Sequence, residues 1–453
     1  MNNLPTEIIV MILNLLDFKS QIRLIFTTKT NKYLIEYWKI TEKIYINENL
    51  LKWPYYDNLI NIYIHKLLEI YPKKLQCLTF DRYFNKSINK DNIPTTIIYI
   101  KFGDKFNQSI DELHAHSIRQ NRKTSTIKRI EFGWKFNKTV DKLPSSIKSI
   151  KFSHDFNQPV DNLPISIKNL EFGHDFNQIV DKLPSSIKSI KFGYWFNQTV
   201  DKLPSSIERI KFGARFNQIV DKLPSSIKSI KFGHDFDQTI DKLPLSIKSI
   251  KFGCHFNQPI DKLPSSIKSI KFGIHFNKTV DNLPLSIKRI EFGDEFNQTV
   301  DNLPSSIKSI KFGYWFNRLV DKLPSSIESI EFGWNFDQSV DKLPSSIKNI
   351  KFGDCFNQSL NKLPSTVTHL TLGLYFNRSL ENIPSTVTHL IIGCYRLNWK
   401  IPETITHLEI GWEFNQPLEA SSVTHLIINS ERLNVIIPET VKTLIVNGKK
   451  VER

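Results

Sequence analysis

Between residues 129 and 380 the hydrophobic and polar positions recur every twenty residues. One unit, LPSSIKSIKFGYWFNQTVDK (183–202), places its apolar letters at Leu183, Ile187, Ile190, Phe192, Phe196 and Val200. Ile190 and Phe192 alternate with Ser189 and Lys191, the period of a strand with one buried face. Pro184 and Gly193 exclude a helix through either end, and too few residues remain for one elsewhere. The unit therefore predicts a short strand, a turn, a second extended piece and a proline-directed return.

Phenylalanines at 136, 156, 176 and onward to 376 stand one period apart, each followed by Asn, or by Asp at 237 and 337. Fainter copies at Phe84, Phe106, Leu397, Phe414 and Leu433 extend the series to roughly eighteen units. Self-similarity at this length predicts a solenoid, a parallel β array whose coils bury their apolar faces against their neighbours at a spacing of about 4.8 Å. Ile-x-x-Ile-x-Phe matches the leucine-rich-repeat pattern. Phe196 is expected inside the coil. The residue after each phenylalanine, Asn157, Asn177, Asn197, Asn217, Asp237, Asn257, Asn277, Asn297, Asn317, Asp337 and Asn357, is expected to form a side-chain ladder to backbone of the next coil. Since Asp serves twice, the essential atom is the side-chain oxygen, accepting from a backbone N–H.

These units resemble the FNIP-repeat family, named for its Phe-Asn-x-Pro core and seen in amoebae and in giant viruses that infect them. FNQPV (156–160), FNQPI (256–260) and FNQPL (414–418) carry the motif, and the flanking LPSSIKSIKFG is typical of it. The resemblance implies a leucine-rich-repeat-like solenoid over residues 76–448. Family units are commonly about two residues longer, a length that the Phe84 to Phe106 step retains.

Residues 1–45 have a different grammar. Leu4-Pro5 opens a segment with Ile8, Ile12, Leu15 and Leu16 at helical spacing, and Pro5 suits a first helical turn. LPTEIIVMILNLLDFKSQIRLIFTTKTNKYL resembles the F-box, in which Leu4, Pro5, Glu7, Ile8, Ile12, Leu13, Leu16, Arg23, Leu24 and Lys29 match the pattern. Thr27-Thr28 replace its Val-Cys, and Asn31 stands where Trp is usual. The resemblance implies a small all-α domain that binds the Skp-family adaptor of a cullin–RING ubiquitin ligase through Leu4, Pro5, Ile8, Ile12, Leu13, Leu16 and Leu24. The alternative is that these helices only cap the apolar end of the array. Residues 46–75 read as a helical linker and N-terminal cap, with Trp53, Tyr55 and Tyr56 packing under the first coils, and 449–453 as a basic tail.

Aligning the array on itself separates scaffold from freely varying letters. The freest pair lies between Gly and Phe and collects Trp134, His154, His174, Tyr194, Trp195, His234, Tyr314, Trp315 and Trp334. These types are enriched at binding hot spots, so they are the candidate target-binding residues; the alternative is that they merely cover the turn. Tyr194-Trp195 and Tyr314-Trp315 recur six units apart, roughly 29 Å along stacked coils, which fits an extended protein partner. On the strand, an exposed column reads mostly Lys, with Glu at 171, 291 and 331. Like charges in register repel, so an acidic partner, solvent or a nearby Asp column at 181, 201 and 221 must relieve them. One coil carries an insertion at 111–125, a basic loop suited to function.

Lys and Arg exceed Asp and Glu by 61 to 45, a charge of +16, which admits an acidic partner. A nucleic-acid partner is disfavoured because Lys outnumbers Arg and Asp residues interleave. The four cysteines lie far apart, so no disulfide framework is expected, and a reducing, cytoplasmic setting follows. No signal peptide or apolar run long enough to span a membrane is read. G-x-S-x-G, P-loop and HExxH motifs do not occur, nor does a four-ligand metal spacing. The expectation is an interaction protein with no catalytic residues, cofactor or metal, either a ubiquitin-ligase substrate receptor or a scaffold or host-interaction protein outside the ubiquitin pathway.

Overall fold

The computed structural model describes residues 43–46, 50, 56–88, 92–115, 126–393, 400–411, 422–429 and 437–451. It comprises two units, Met1–Gly213 and Ala214–Arg453. In each, strands of two to four residues stack in parallel, one per coil. The first unit runs from Ile44–Tyr45 through Asn61–Ile64 and Cys77–Phe80 to Ser189–Lys191 and Arg209–Lys211, each strand pairing with the next. The second runs from Ser229–Lys231 to Thr443–Val446. Its register steps by one period, Ser229 on Ser249 and Ile230 on Ile250. At the end Asn447 and Gly448 take positive φ (48° and 76°), and Lys449–Val451 folds back antiparallel onto Thr443–Val446. Helix among the described residues is slight, such as Glu112–Ala115, which opens the insertion, and the 3-10 turn Tyr56–Asn58.

The apolar alternation reappears as burial. Ile187 and Phe196 are fully buried, Ile190, Phe192 and Val200 nearly so, and Leu183 is 8% exposed at the edge. Within a coil Phe192 stacks on Phe196 at 3.9 Å, and Phe176 faces Phe196 of the next coil at 6.1 Å. These offset contacts add to the burial of large apolar area. Pro184 accepts the N–H of Ile187 at 3.3 Å and closes the return. The glycine after each strand permits close approach: a Cβ on Gly193 would lie 1.5 Å from the Gly173 carbonyl oxygen. Tyr56 is buried, its hydroxyl donating to the Ile70 carbonyl at 2.9 Å, whereas Trp53 and Tyr55 lie outside the described residues.

Beside this core run ladders of side-chain oxygen. Asn157 Oδ1 accepts the N–H of Asn177 at 3.0 Å, and Asn177 Oδ1 that of Asn197 at 2.9 Å. In the second unit the chain of acceptors runs from Asn217 through Asp237, Asn257, Asn277, Asn297, Asn317 and Asp337 to Asn357. Asp237 and Asp337 serve with their carboxylate oxygens. The glutamine that follows often donates to the same atom, as Gln178 Nε2 does to Asn157 Oδ1 at 3.0 Å. A parallel hydroxyl ladder has Ser186 Oγ donating to the Ile167 carbonyl at 2.6 Å.

Glutamates in the strand column pair with the lysines beside them. Glu171 sits between Lys151 and Lys191 and pairs with both. Glu331 lies 2.9 Å from both Lys311 and Lys351. Burial opposes ionisation of Glu331, but hydrogen bonds from the two lysines prevail and hold its pKa below the usual carboxylate value. The Asp column serves a different set of lysines: Asp181 takes Lys202 and Asp221 takes Lys242, each at 2.8 Å, on the return segment rather than the strand. These carboxylates lie one period plus one residue before their lysines, at another edge of the coil.

Asn257→Ala is expected to destabilise the protein by about 1–3 kcal/mol, because the part-buried Asn277 N–H loses its acceptor. Asn257→Asp retains the oxygen and should cost clearly less. Equal costs in denaturant melts would refute the acceptor role.

Candidate interaction surface

The variable pair between Gly and Phe forms a turn whose backbone is fixed independently of its side chains. The N–H of its second residue donates to the carbonyl of the first residue one coil earlier, as Asp155 to Trp134 at 3.0 Å, Asp175 to His154 at 2.8 Å and Trp195 to His174 at 3.0 Å. The side chains are therefore free to change without cost to the scaffold.

In the first unit the leading residues make one continuous stack. Trp134 lies on His154 at 4.3 Å, His154 on His174 at 4.3 Å, and His174 on Tyr194 at 4.8 Å, with planes within 11°. Trp195 stands edge-on to Tyr194 at 5.2 Å. Trp134 and Trp195 are nearly half exposed. In the second unit Tyr314 stacks on Trp334 at 5.7 Å and Trp315 meets Tyr314 at 4.9 Å, while His234 belongs to a separate histidine group with His255. Acidic side chains steady the imidazoles: His154 Nδ1 donates to Asp155 at 2.8 Å, and His234 Nδ1 to Asp235 at 2.7 Å. Burial disfavours charge on Asp155 and Asp235, but bonds from Lys135 and His154 to the first, and from His234 and Arg215 to the second, hold both pKa values low. The F-box positions Leu4, Pro5, Ile8, Ile12, Leu13, Leu16 and Leu24 lie outside the described residues, as do residues 116–125 of the insertion.

A second surface escaped sequence reasoning. On the last strands the outward column is histidine: His369, His389, His407 and His425 stack face to face at 4.1, 4.1 and 4.2 Å. Each Nδ1 meets the hydroxyl of the preceding threonine at 2.8–3.0 Å. For Thr368, Thr406 and Thr424 the hydroxyl also donates to a carbonyl of the previous coil, so Nδ1–H is the donor and Nε2 keeps its lone pair. The row borders a groove of about 190 Å³ with Ile391, Leu408, Glu409 and Ile427. Burial, then the neighbouring imidazoles, push the pKa of His389 and His407 down. The recurrent Thr-His-Leu triplet (368–370, 388–390, 406–408, 424–426) was the available signal.

The comparisons follow this geometry. The FNIP Repeat model matches in twelve stretches, most of them overlapping, from 68–105 to 356–395, which together cover more than half of the chain. The chain belongs to the FNIP-repeat family. An F-box domain is matched over residues 1–43. Among solved structures, "The crystal structure of CroV588 a novel circular LRR protein structure" is 30% identical, covers 86% of this chain and 72% of its own, and superposes with a TM-score of 0.66. YopM from Yersinia enterocolitica WA-314 is 15% identical over 84% of this chain and 88% of its own, with a TM-score of 0.48. No curated protein matches. This FNIP-repeat protein is thus a leucine-rich-repeat-like parallel solenoid with an F-box, an architecture for protein interaction. No helix among its described residues is long and apolar enough to cross a membrane.

The histidine row makes stability depend on pH. A histidine whose folded-state pKa is depressed contributes stability that is fully present above its unfolded pKa near 6.5 and is lost as pH falls through the folded value. The melting temperature of the wild type should therefore drop as pH falls below about 6.5. His389→Gln should flatten part of that drop in melts followed by circular dichroism, and an unchanged pH profile would refute the assignment.

Proposed function

We propose that this FNIP-repeat protein is a substrate-recognition subunit of a Skp–cullin–F-box ubiquitin ligase. Its F-box docks the Skp-family adaptor through Leu4, Pro5, Ile8, Ile12, Leu13, Leu16 and Leu24. Its solenoid captures a target protein, and its work is binding rather than catalysis. The observation that carries this reading is the pairing, in one chain, of an F-box at 1–43 with a long array that presents half-exposed tryptophans on a rigid turn column. An adaptor-binding module and a target-binding surface are the two parts a substrate receptor needs.

The aromatic column supplies the anchors. Trp134, His154, His174, Tyr194 and Trp195 in the first unit, and His234, Tyr314, Trp315 and Trp334 in the second, project from turns whose backbone is already bonded. Little conformational entropy remains to be lost on binding, which favours hot-spot behaviour. The strand lysines, paired with glutamates, contribute mainly to encounter rate.

Replacing Leu4 and Pro5 together with Ala should abolish capture of a Skp-type adaptor while leaving the far-UV circular dichroism of the array intact. Absence of adaptor binding by the wild type would sink the ubiquitin reading. Trp195→Ala and Trp315→Ala should each weaken target capture by about 2 kcal/mol at unchanged stability. Lys231→Ala should matter only at low salt, and equal small effects from all three would move the target to another face.

A further inference from the structure

The geometry points to two sites for a divalent transition metal ion of the Zn²⁺, Cu²⁺ or Ni²⁺ class: one formed by His154, His174 and Asp175, the other by His234, Asp235 and His255. In each set, one ligand atom from every residue lies within 4.8 Å of the others. In both, a single carboxylate faces the Nδ1 atoms of histidines on neighbouring coils. Asp175 is 2.6 Å from His174 Nδ1 and 3.6 Å from His154 Nδ1. Asp235 is 2.7 Å from His234 Nδ1 and 3.6 Å from His255 Nδ1.

Two imidazoles and a carboxylate, with a fourth position open to water, make a borderline nitrogen–oxygen set. It suits Zn²⁺, Cu²⁺ and Ni²⁺, whereas Ca²⁺ and Mg²⁺ require shells of oxygen. The solenoid holds the ligands at a fixed spacing. The N–H of Asp175 bonds the His154 carbonyl at 2.8 Å, and the N–H of His255 bonds the His234 carbonyl at 3.0 Å, so each pair of turns is clamped. The metal takes the place of the Nδ1 protons, which His174 and His234 share with the ligand carboxylate and His154 with Asp155. Competition grades the two sites. At the first site the competitor is the anion Asp155, which bonds His154 Nδ1 at 2.8 Å and leaves the carboxylate of Asp175 to the histidines, whereas at the second the cation Arg215 occupies Asp235 itself at 2.9 Å. The site at Asp175 should therefore bind more tightly.

Binding has one structural cost that makes it visible. The His154 and His174 rings are parallel within 6° at 4.3 Å, so their in-plane lone pairs cannot converge on one ion. One ring must turn about its Cβ–Cγ bond, which breaks the stack that includes Trp134. Metal binding is thereby coupled to the shape of the aromatic column, a relation that holds whether or not the ubiquitin-ligase reading is correct. The four-histidine row at 369–425 is a different arrangement, because its Nδ1 atoms are held by threonine hydroxyls.

The test is calorimetric titration of the full chain with ZnCl₂, with Trp fluorescence recorded in parallel and CaCl₂ as the oxygen-seeking control. The wild type should bind Zn²⁺ at two sites with a fluorescence change, and Ca²⁺ at neither. Asp175→Asn should remove the tighter event and the Trp134 signal, and Asp235→Asn the weaker. Each loss should be at least the ~10–100-fold that removal of an outer-shell partner costs. His154→Gln should reproduce Asp175→Asn, with unchanged circular dichroism showing that the turn variants fold. Absence of Zn²⁺ heat, or Zn²⁺ heat unaltered in both carboxylate variants, would overturn the proposal.

Discussion

Everything in this molecule depends on stacking in register. A twenty-residue coil cannot bury six apolar side chains by itself, so its core exists only between its neighbours. Once Ile190 lies over Leu170, every other position in the coil has one fixed partner. The short strand supplies few backbone bonds, and the rest of the coil is irregular. Its N–H groups still need acceptors, because an unpaired buried donor costs as much as a lost hydrogen bond. The Asn ladder meets that need, with side-chain oxygen replacing the carbonyls a longer strand would offer, while the serine hydroxyls donate to carbonyls left over in the coil before. A repeated twenty-letter unit is thus the direct consequence of having to satisfy the same donors in every coil.

What could be read without coordinates follows the same logic. Strand, buried phenylalanine and Asn column were legible because an array is its own alignment: Asp at 237 and 337 already singled out the oxygen as the shared atom. Interactions offset between coils were not legible. Lys202 reaches Asp181, and each glutamate of the strand column pairs with lysines on the coils beside it, as Glu171 does. Periodicity says which letters repeat, but not which edge of a coil each occupies, so it could not say which lysines the Asp column serves. The histidine row failed for another reason. Its coils shorten to eighteen residues between His389 and His407, which hides the Thr-His-Leu triplet among the faint copies.

The aromatic column shows how such a scaffold separates folding from recognition. Its turns are closed by backbone bonds from one coil to the next, and the phenylalanine that follows anchors each turn in the core. Trp, His, Tyr, Asp or Ile at the leading position leaves those bonds intact. The stability of the coil therefore places little constraint on these side chains. The same freedom explains why histidines collect in pairs there. Neighbouring coils bring equivalent positions to about 4.8 Å, close enough for rings to stack and for one carboxylate to serve two imidazoles. Single turns of such a surface can be substituted while the register beneath it stays fixed.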